Sequence, residues 1–98
     1  MAQVKRIRWT LLALQDLDHA YHYIAKERPS AAHQIIQQLQ RALDALIQYP
    51  LMGRTGRLPG TRELYIAHTP FVLAYRLHSD QIEILGFMHA ARRWPESL

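Results

Sequence analysis

Cysteine is absent from the 98-residue sequence, and this absence excludes several kinds of chemistry. Without thiols the chain forms no disulfide, holds no thiolate zinc site and uses no cysteine nucleophile. No apolar run approaches the roughly 20 residues that a bilayer-spanning helix needs. The N-terminal stretch MAQVKRIRW also lacks the apolar core of a secretory signal. We therefore expect a protein of the reducing cytoplasm with no membrane partner.

The sequence also lacks the motifs of the common enzyme classes. It has no G-x-S-x-G nucleophile turn, no phosphate-binding P-loop and no dinucleotide fingerprint. The glycine-rich stretch at residues 53–60 follows a predicted helix, whereas the glycines of a P-loop precede one. His19 and His22 lie three residues apart on a predicted helix, but no third ligand accompanies them. We therefore predict neither a metal site nor a cofactor.

The composition is that of an ordinary globular protein in which basic residues outnumber acidic ones. Hydrophobic residues make up 49% and charged residues 20% of the chain, which predicts one folded domain over residues 1–98. The formal net charge is +4, with a sequence pI of about 9.9. Such a balance favours a nucleic acid, an anionic membrane or an acidic protein segment as partner, and does not choose among them.

The first half of the chain predicts one strand and two helices. Residues 4–9 alternate, with Ile7 and Trp9 on one side, which indicates a short strand with a basic outer face. Thr10 can cap the helix that follows, and Pro29 or Ser30 can open a second helix that ends before Pro50. Their apolar stripes are Ala13, Leu17, Ala20, Tyr21 and Ile24 in the first helix, and Ala32, Ile35, Ile36, Leu39, Ala42, Leu43 and Leu46 in the second.

The second half predicts a turn-rich loop over residues 50–61 and then strands over residues 62–67, 71–78 and 81–88. The fold class is thus α+β in the order β-α-α-β-β-β, with a helical hairpin on one face of a small, mainly antiparallel sheet.

A hairpin turn at Ser79-Asp80 sets the register of the last two strands by pairing the residues on either side of it. Continued without interruption, this register pairs Arg76 with Glu83 as an ion pair and ends at Phe71 opposite Met88. It places a second apolar group on the face away from the helices, formed by Val72, Ala74, Leu85 and Phe87. That face needs a cover, which is either a partner or the chain's own tail around Trp94.

Eight of the twelve basic residues lie in three short clusters. The clusters are Lys5, Arg6 and Arg8, then Arg54, Arg57 and Arg62, and then Arg92 and Arg93. Because strand ends and the loops beside them can converge on one rim, we expect a target-binding or anion-binding site formed by Arg54, Arg57, Arg62, Arg92 and Arg93. The alternative is a solvated surface. His89 ends the last strand near this cluster and can serve as an acid–base group or make a strand-end hydrogen bond.

The order of elements, together with several short motifs, resembles the ParE/RelE superfamily of toxins and is closer to the ParE, plasmid-stabilisation type. The most specific stretch is residues 50–64, P-x-x-G-R-x-G-R-x-x-G-T-R-E-L. The other motifs are Trp9-Thr10 with Ala13 and Asp16-Leu17, Tyr23-Ile24 with Pro29 and Ala31-Ala32, residues 70–76, and His89-x-x-Arg92-x-Trp94-Pro95. The likeness covers nearly the whole chain.

The resemblance implies the toxin component of a type II toxin–antitoxin system, neutralised by a cognate antitoxin. ParE-like members are thought to inhibit DNA gyrase, whereas RelE-like members are ribosome-dependent mRNA endoribonucleases. The strand matching residues 71–75 lacks the arginine that ribonuclease members often carry, and no tyrosine occurs near the C-terminus. We favour gyrase as the target. If the chain instead cleaves mRNA on the ribosome, His89, Arg62 and Arg92 are the expected catalytic residues.

The expected antitoxin-binding residues are Val72, Ala74, Leu85, Phe87 and Trp94, because they form the second sheet face and the tail beside it. The resemblance also allows a homodimer or a heterotetramer with the antitoxin. A plain nucleic-acid-binding module is the third alternative, and it ranks last because the sequence shows no docking helix and no base-stacking aromatic motif.

Overall fold

The computed structural model describes residues 6–92, 94 and 95. Its elements are β1 (Arg6–Trp9), α1 (Leu11–Glu27), α2 (Pro29–Gln48), β2 (Arg54–Thr55), β3 (Arg62–Tyr65), β4 (Phe71–Leu77) and β5 (Gln81–His89). In this part of the chain the strands form one sheet in the order β1-β5-β4-β3-β2. Only β1 pairs in parallel, with β5. The predicted α+β fold is therefore confirmed, and the two-residue strand β2 is an addition to it.

Local capping explains where the helices begin. The Thr10 hydroxyl accepts a hydrogen bond from the Ala13 backbone N–H at 3.1 Å, as its position in the sequence predicts. Pro29 occupies the first turn of α2, where a missing N–H costs nothing. Neither helix is long and apolar enough to cross a membrane, among the residues placed by the structure.

The helical hairpin packs on one face of the sheet, and the core lies between the two layers. Buried Ala13 and Leu39 pack there with the sheet residues Leu73 and Ile84, and the flanking positions of both predicted stripes add partly buried contacts. Tyr21 departs from the prediction, because 38% of it is exposed at the edge of its stripe. The helices thus bury one sheet face and leave the other to the rest of the chain.

The predicted register of the β4–β5 hairpin holds only next to its turn. Arg76 lies opposite Glu83 and Tyr75 opposite Ile84, as expected, but Ala74 then lies opposite Gly86. Leu85 is the extra residue of a β-bulge at this point. Beyond the bulge every pair differs by one residue from the uninterrupted register, so that part of the prediction is wrong.

The bulge changes the face on which Phe87 lies. Phe87 is opposite Leu73 rather than Val72, and it belongs to the helix-covered core with an exposed fraction of 2%. Its ring stacks on Phe71 with 4.6 Å between the ring centroids. The Asp16 carboxylate of α1 accepts the Phe87 backbone N–H at 3.2 Å. Placing Phe87 on the outer face was therefore wrong, because the bulge turns its side chain towards α1.

A buried tyrosine fastens the loop between α2 and β2. The Tyr75 hydroxyl donates to the Pro50 carbonyl at 2.8 Å and accepts the Gly53 backbone N–H at 2.9 Å. Burial raises the pKa of Tyr75, although the Gly53 N–H and nearby Arg62 act in the opposite direction. The hydroxyl therefore stays protonated and keeps both hydrogen bonds.

Tyr75→Phe is expected to lower the free energy of unfolding by about 1–2 kcal/mol, because it leaves the Gly53 N–H without its partner in a buried place. Urea unfolding measures this difference. The matched control is Tyr23→Phe on the exposed side of α1, which we expect to stay within about 0.5 kcal/mol of the wild type. Equal stability of all three proteins would show that the hydroxyl does not hold the loop.

Candidate functional site

The arginines of the loop and the face opposite the helices form the candidate site. Arg57 and Glu63 are its best-defined pair. The Glu63 carboxylate accepts the Arg57 backbone N–H at 2.8 Å, Nε at 3.1 Å and Nη2 at 3.3 Å. The carboxylate side chain is 6% exposed and the arginine side chain 44% exposed. A carboxylate so far removed from water needs these donors, which fixes the guanidinium in position.

Arg57 also connects the loop to the C-terminal tail. Its guanidinium carbon lies 3.6 Å from the centre of the Trp94 ring, a close cation–π contact. Because Glu63 pairs with Ala74 on the face away from the helices, this contact draws the tail to that side of the sheet. The Trp94 Nε1–H is buried there without a hydrogen-bond partner in the described structure.

The second sheet face is therefore not an open apolar surface. Val72 is 0%, Ala74 1% and Leu85 5% exposed. Of the two covers that the sequence left open, the structure shows the tail on this side, since Arg57 holds Trp94 there. Within the structure these three residues are therefore covered, and binding of a partner at this face stays a prediction.

Two arginines of the predicted cluster, Arg54 and Arg62, lie on opposite faces of the sheet, because Arg54 is opposite Glu63 and Arg62 is the neighbour of Glu63 in β3. Arg62 lies opposite Tyr75, and its Nη1 donates to the Leu51 carbonyl at 3.3 Å and the Gly53 carbonyl at 2.8 Å. Arg54 is exposed and lies over the Tyr65 ring, 4.5 Å from its centre. Thus Arg57 and Arg62 bind other parts of the chain, in different surroundings.

The tail contributes one arginine that can be placed. Arg92 is exposed just beyond the end of β5, and its backbone N–H bonds to the His89 carbonyl at 3.1 Å. The predicted role of Arg93, like the strand positions before Arg6, lies outside the described residues.

His89 makes the strand-end contact that was one of its two predicted roles. Its Nδ1 accepts the Ala91 backbone N–H at 3.1 Å, and its ring packs edge-on against Phe71 at 5.7 Å. His89 is opposite Phe71, and Arg62 is opposite Tyr75. His89 and Arg62 therefore lie on either side of β4 and are four residues apart along it. Strand geometry places their Cα atoms about 16 Å apart. The structure does not bring His89 and Arg62 together.

A second charged cluster lies at the other end of the same sheet face. The Glu83 carboxylate binds His78 Nε2 at 3.0 Å and Arg8 Nη1 at 3.3 Å. Arg76, the predicted partner, lies opposite Glu83 but acts through longer-range attraction. The hydrogen bond from His78, followed by the charges of His78, Arg8 and Arg76, lowers the pKa of Glu83 despite some burial.

Glu83→Gln is expected to flatten the pH dependence of stability in acid. Because the folded pKa of Glu83 is lowered, its carboxylate stabilises the fold above its ordinary value of 4.5, and this contribution is lost as the pH falls through the folded pKa. Between about pH 6 and about pH 3, the wild type should lose more unfolding free energy than the variant. Urea unfolding at several pH values measures this, and parallel curves would contradict the assignment.

Three residues that matter in this structure escaped the sequence-based prediction. Asp16 binds the β5 backbone, Tyr75 fastens the loop and Gly53 makes room for the Tyr75 ring. Burial raises the pKa of Asp16, against the opposing effects of the Phe87 N–H and His19. The sequence signal for each was its place in a motif of the resemblance: Asp16 beside Leu17, Gly53 within residues 50–64 and Tyr75 within residues 70–76. Over residues 6–92, 94 and 95, no group of three metal-ligating side chains occurs.

Comparison with solved structures places this architecture among toxins of toxin–antitoxin systems. A chain of the chromosomal ParDE TA system from P. aeruginosa matches with a TM-score of 0.79 and 26% identity, over 90% of this chain and 98% of that one. The YoeB dimer from Staphylococcus aureus matches at 0.59 with 16% identity, over 85% and 93% of the two chains. A chain of the E. coli DinJ-YafQ toxin–antitoxin complex matches at 0.60 with 17% identity, over 90% and 94%. The last two show the fold alone.

The sequence comparisons identify the family. Residues 7–94 match the model of the ParE toxin of type II toxin-antitoxin system, parDE. A Sinorhizobium fredii (strain NBRC 101917 / NGR234) protein named "Putative toxin Y4kP" is 48% identical over 94 residues, which is 96% of this chain and 97% of that protein. The chain belongs to the ParE toxin family. It is the toxin of a type II toxin–antitoxin system and has a cognate antitoxin as its partner.

Proposed function

We propose that this toxin acts in the cytoplasm by inhibiting DNA gyrase, as a binding protein without a catalytic centre. The observation that carries the proposal is the separation of Arg62 from His89, two of the three residues that a ribonuclease would use. Arg62 donates to two loop carbonyls, whereas His89 lies about 16 Å away at the end of β5. Proton transfer and phosphate stabilisation need their groups within hydrogen-bond reach of one bound substrate. Family membership supports the same choice of target.

The antitoxin is proposed to bind the sheet face away from the helices, at the tail and the residues beneath it. Trp94 is held there by Arg57, and its Nε1–H, which is buried without a partner in the described structure, would become available as a donor when the tail moves. Val72, Ala74 and Leu85 would be reached only after the tail moves aside. Phe87 leaves the proposed set, because it belongs to the core under α1. The toxin would form a homodimer alone or a heterotetramer with its antitoxin.

Whether DNA synthesis or protein synthesis stops first in cells tests the proposal that gyrase is the target. The toxin is expressed from an inducible promoter, and incorporation of labelled thymidine and labelled methionine is followed with time. A gyrase inhibitor should stop DNA synthesis first and cause filamentation. Translation that stops first, and a His89→Ala variant with restored translation, would instead identify a ribosome-dependent ribonuclease. Co-expression of the antitoxin should abolish either effect.

A further inference from the structure

The described residues of the sheet layer carry the net positive charge of this toxin. Residues 10–49, which form the helical layer, contain three basic and four acidic residues, a net charge of −1. Residues 6–9, 50–92, 94 and 95 contain seven basic and three acidic residues, a net charge of +4. The positive charge of the described residues is therefore concentrated on one layer. Such an asymmetry creates a directed field that attracts polyanions to one side.

Strand register places four arginines on the face opposite the helices. Arg8 lies opposite Glu83, which lies opposite Arg76. Two residues along β4, Ala74 lies opposite Glu63, which in turn lies opposite Arg54. Residues two apart on a strand share a face, so Arg6 lies on the same face as Arg8. Ala74 likewise shares a face with Arg76, and Arg54 lies on that face because it is aligned with Ala74 through Glu63. We call Arg6, Arg8, Arg54 and Arg76 the basic face.

The acidic residues on this face are mostly covered, whereas the arginines reach solvent. The Glu83 side chain is 16% and that of Glu63 6% exposed, compared with 61% for Arg8. Arg6 and Arg54 are exposed as well. The two carboxylates thus hold arginines in place, and the charge presented outwards is positive.

We propose that the basic face binds the phosphate backbone of duplex DNA. Five strands at about 4.8 Å spacing give a face about 19 Å wide, enough to reach both backbones beside a groove about 12 Å wide. Single-stranded binding would need exposed aromatic rings for base stacking. The described aromatic rings on this side, Tyr65 and Trp94, are already covered by Arg54 and Arg57. The exposed Arg92 adds a further cation from the tail.

Two double variants with the same loss of charge test this proposal. Arg6→Gln with Arg54→Gln removes two cations from the basic face, neither of them bound to a carboxylate in the described structure. Lys26→Gln with Arg41→Gln removes two exposed cations from the helical layer. Because both carry the same net charge, any difference between them reports where DNA binds. Fluorescence anisotropy with a labelled 20-base-pair duplex, from 50 to 200 mM salt, measures the affinity of the purified toxin.

The basic-face variant should bind at least about 10-fold more weakly at 50 mM salt, and its salt slope should fall by about 2, because each lost phosphate contact removes about 0.9. The helical-layer variant should stay within about twofold of the wild type. Absence of wild-type binding at 50 mM salt would overturn the proposal, and so would an equal loss in both variants. Tighter binding of single-stranded RNA of the same length would overturn the choice of duplex DNA.

Thermal melting followed by circular dichroism checks that both double variants are folded. If the basic-face double variant melts early, Arg6→Gln alone serves in its place, with a slope change of about 1. The proposal does not depend on the target in the cell. If the toxin binds DNA but does not inhibit gyrase, only the proposed function is wrong. If it inhibits gyrase but does not bind DNA, only the inference about the basic face is wrong.

Discussion

Gly53→Ala is expected to destabilise the fold by about 3 kcal/mol, the largest effect that we predict for a single substitution. A Cβ at this position would lie 2.5 Å from the Tyr75 hydroxyl oxygen and 2.7 Å from Cε1 of the same ring. The Tyr75 side chain is fully buried, so its ring can move only by displacing closely packed neighbours. Either the loop or the ring must move, and both hydrogen bonds of the hydroxyl are then strained or lost.

The control for this prediction is Gly60→Ala in the same loop. Gly60 has a φ of 73°, but the nearest atom to an added Cβ is 3.8 Å away. Backbone strain alone should therefore cost about 1–2 kcal/mol. Urea unfolding of both variants separates steric conflict from strain. A Gly53→Ala protein as stable as the wild type would mean that the Tyr75 ring is not held against the loop.

Arg57→Ala is expected to lower the free energy of unfolding by about 2–3 kcal/mol and to loosen the tail. The Glu63 carboxylate, which is 6% exposed, would keep only the backbone N–H of residue 57 as a donor. Removing one partner of a covered ion pair costs more than the pair contributes, because the remaining charge is left without compensation. The cost stays below that of a fully buried pair since the arginine is half-exposed. Trp94 would also lose its cation–π contact.

Two measurements follow the consequences of Arg57→Ala. Urea unfolding reports the stability. Acrylamide quenching of tryptophan fluorescence, measured with Trp9→Phe in every protein compared, reports the exposure of Trp94 in the tail. The matched control is Arg54→Ala, which removes an exposed cation–π contact with Tyr65 and should cost no more than about 1 kcal/mol. If the two variants are equally stable and equally quenched, the Arg57–Glu63 pair does not hold the tail on the sheet.

The elements of the fold could be predicted because each has a local cause. The spacing of Leu39 and Leu46 specifies a helix, and Thr10 and Pro29 specify where the helices begin. The register beyond the hairpin turn has no local cause. The bulge at Leu85 is marked only by Gly86 beside it, and in an apolar strand either face suits the same residues. Phe87 was therefore assigned to the wrong face.

The site was less predictable than the fold, because the partners of charged residues come from distant parts of the chain. Arg8 lies 75 positions before Glu83, and their contact depends on the parallel pairing of β1 with β5. Arg62 was expected at an anion site but donates to loop carbonyls instead. A sequence shows where arginines are clustered, whereas the register decides which of them remain available to a partner.

DNA supercoiling by purified gyrase tests the central claim most directly. Relaxed plasmid, ATP and gyrase are incubated with increasing amounts of the toxin, with and without its antitoxin, and the topoisomers are separated on a gel. Supercoiling should fall, or cleaved plasmid should accumulate, as the toxin is added, and the antitoxin should prevent both effects. Normal supercoiling at saturating toxin, with no cleaved plasmid, would contradict the central claim.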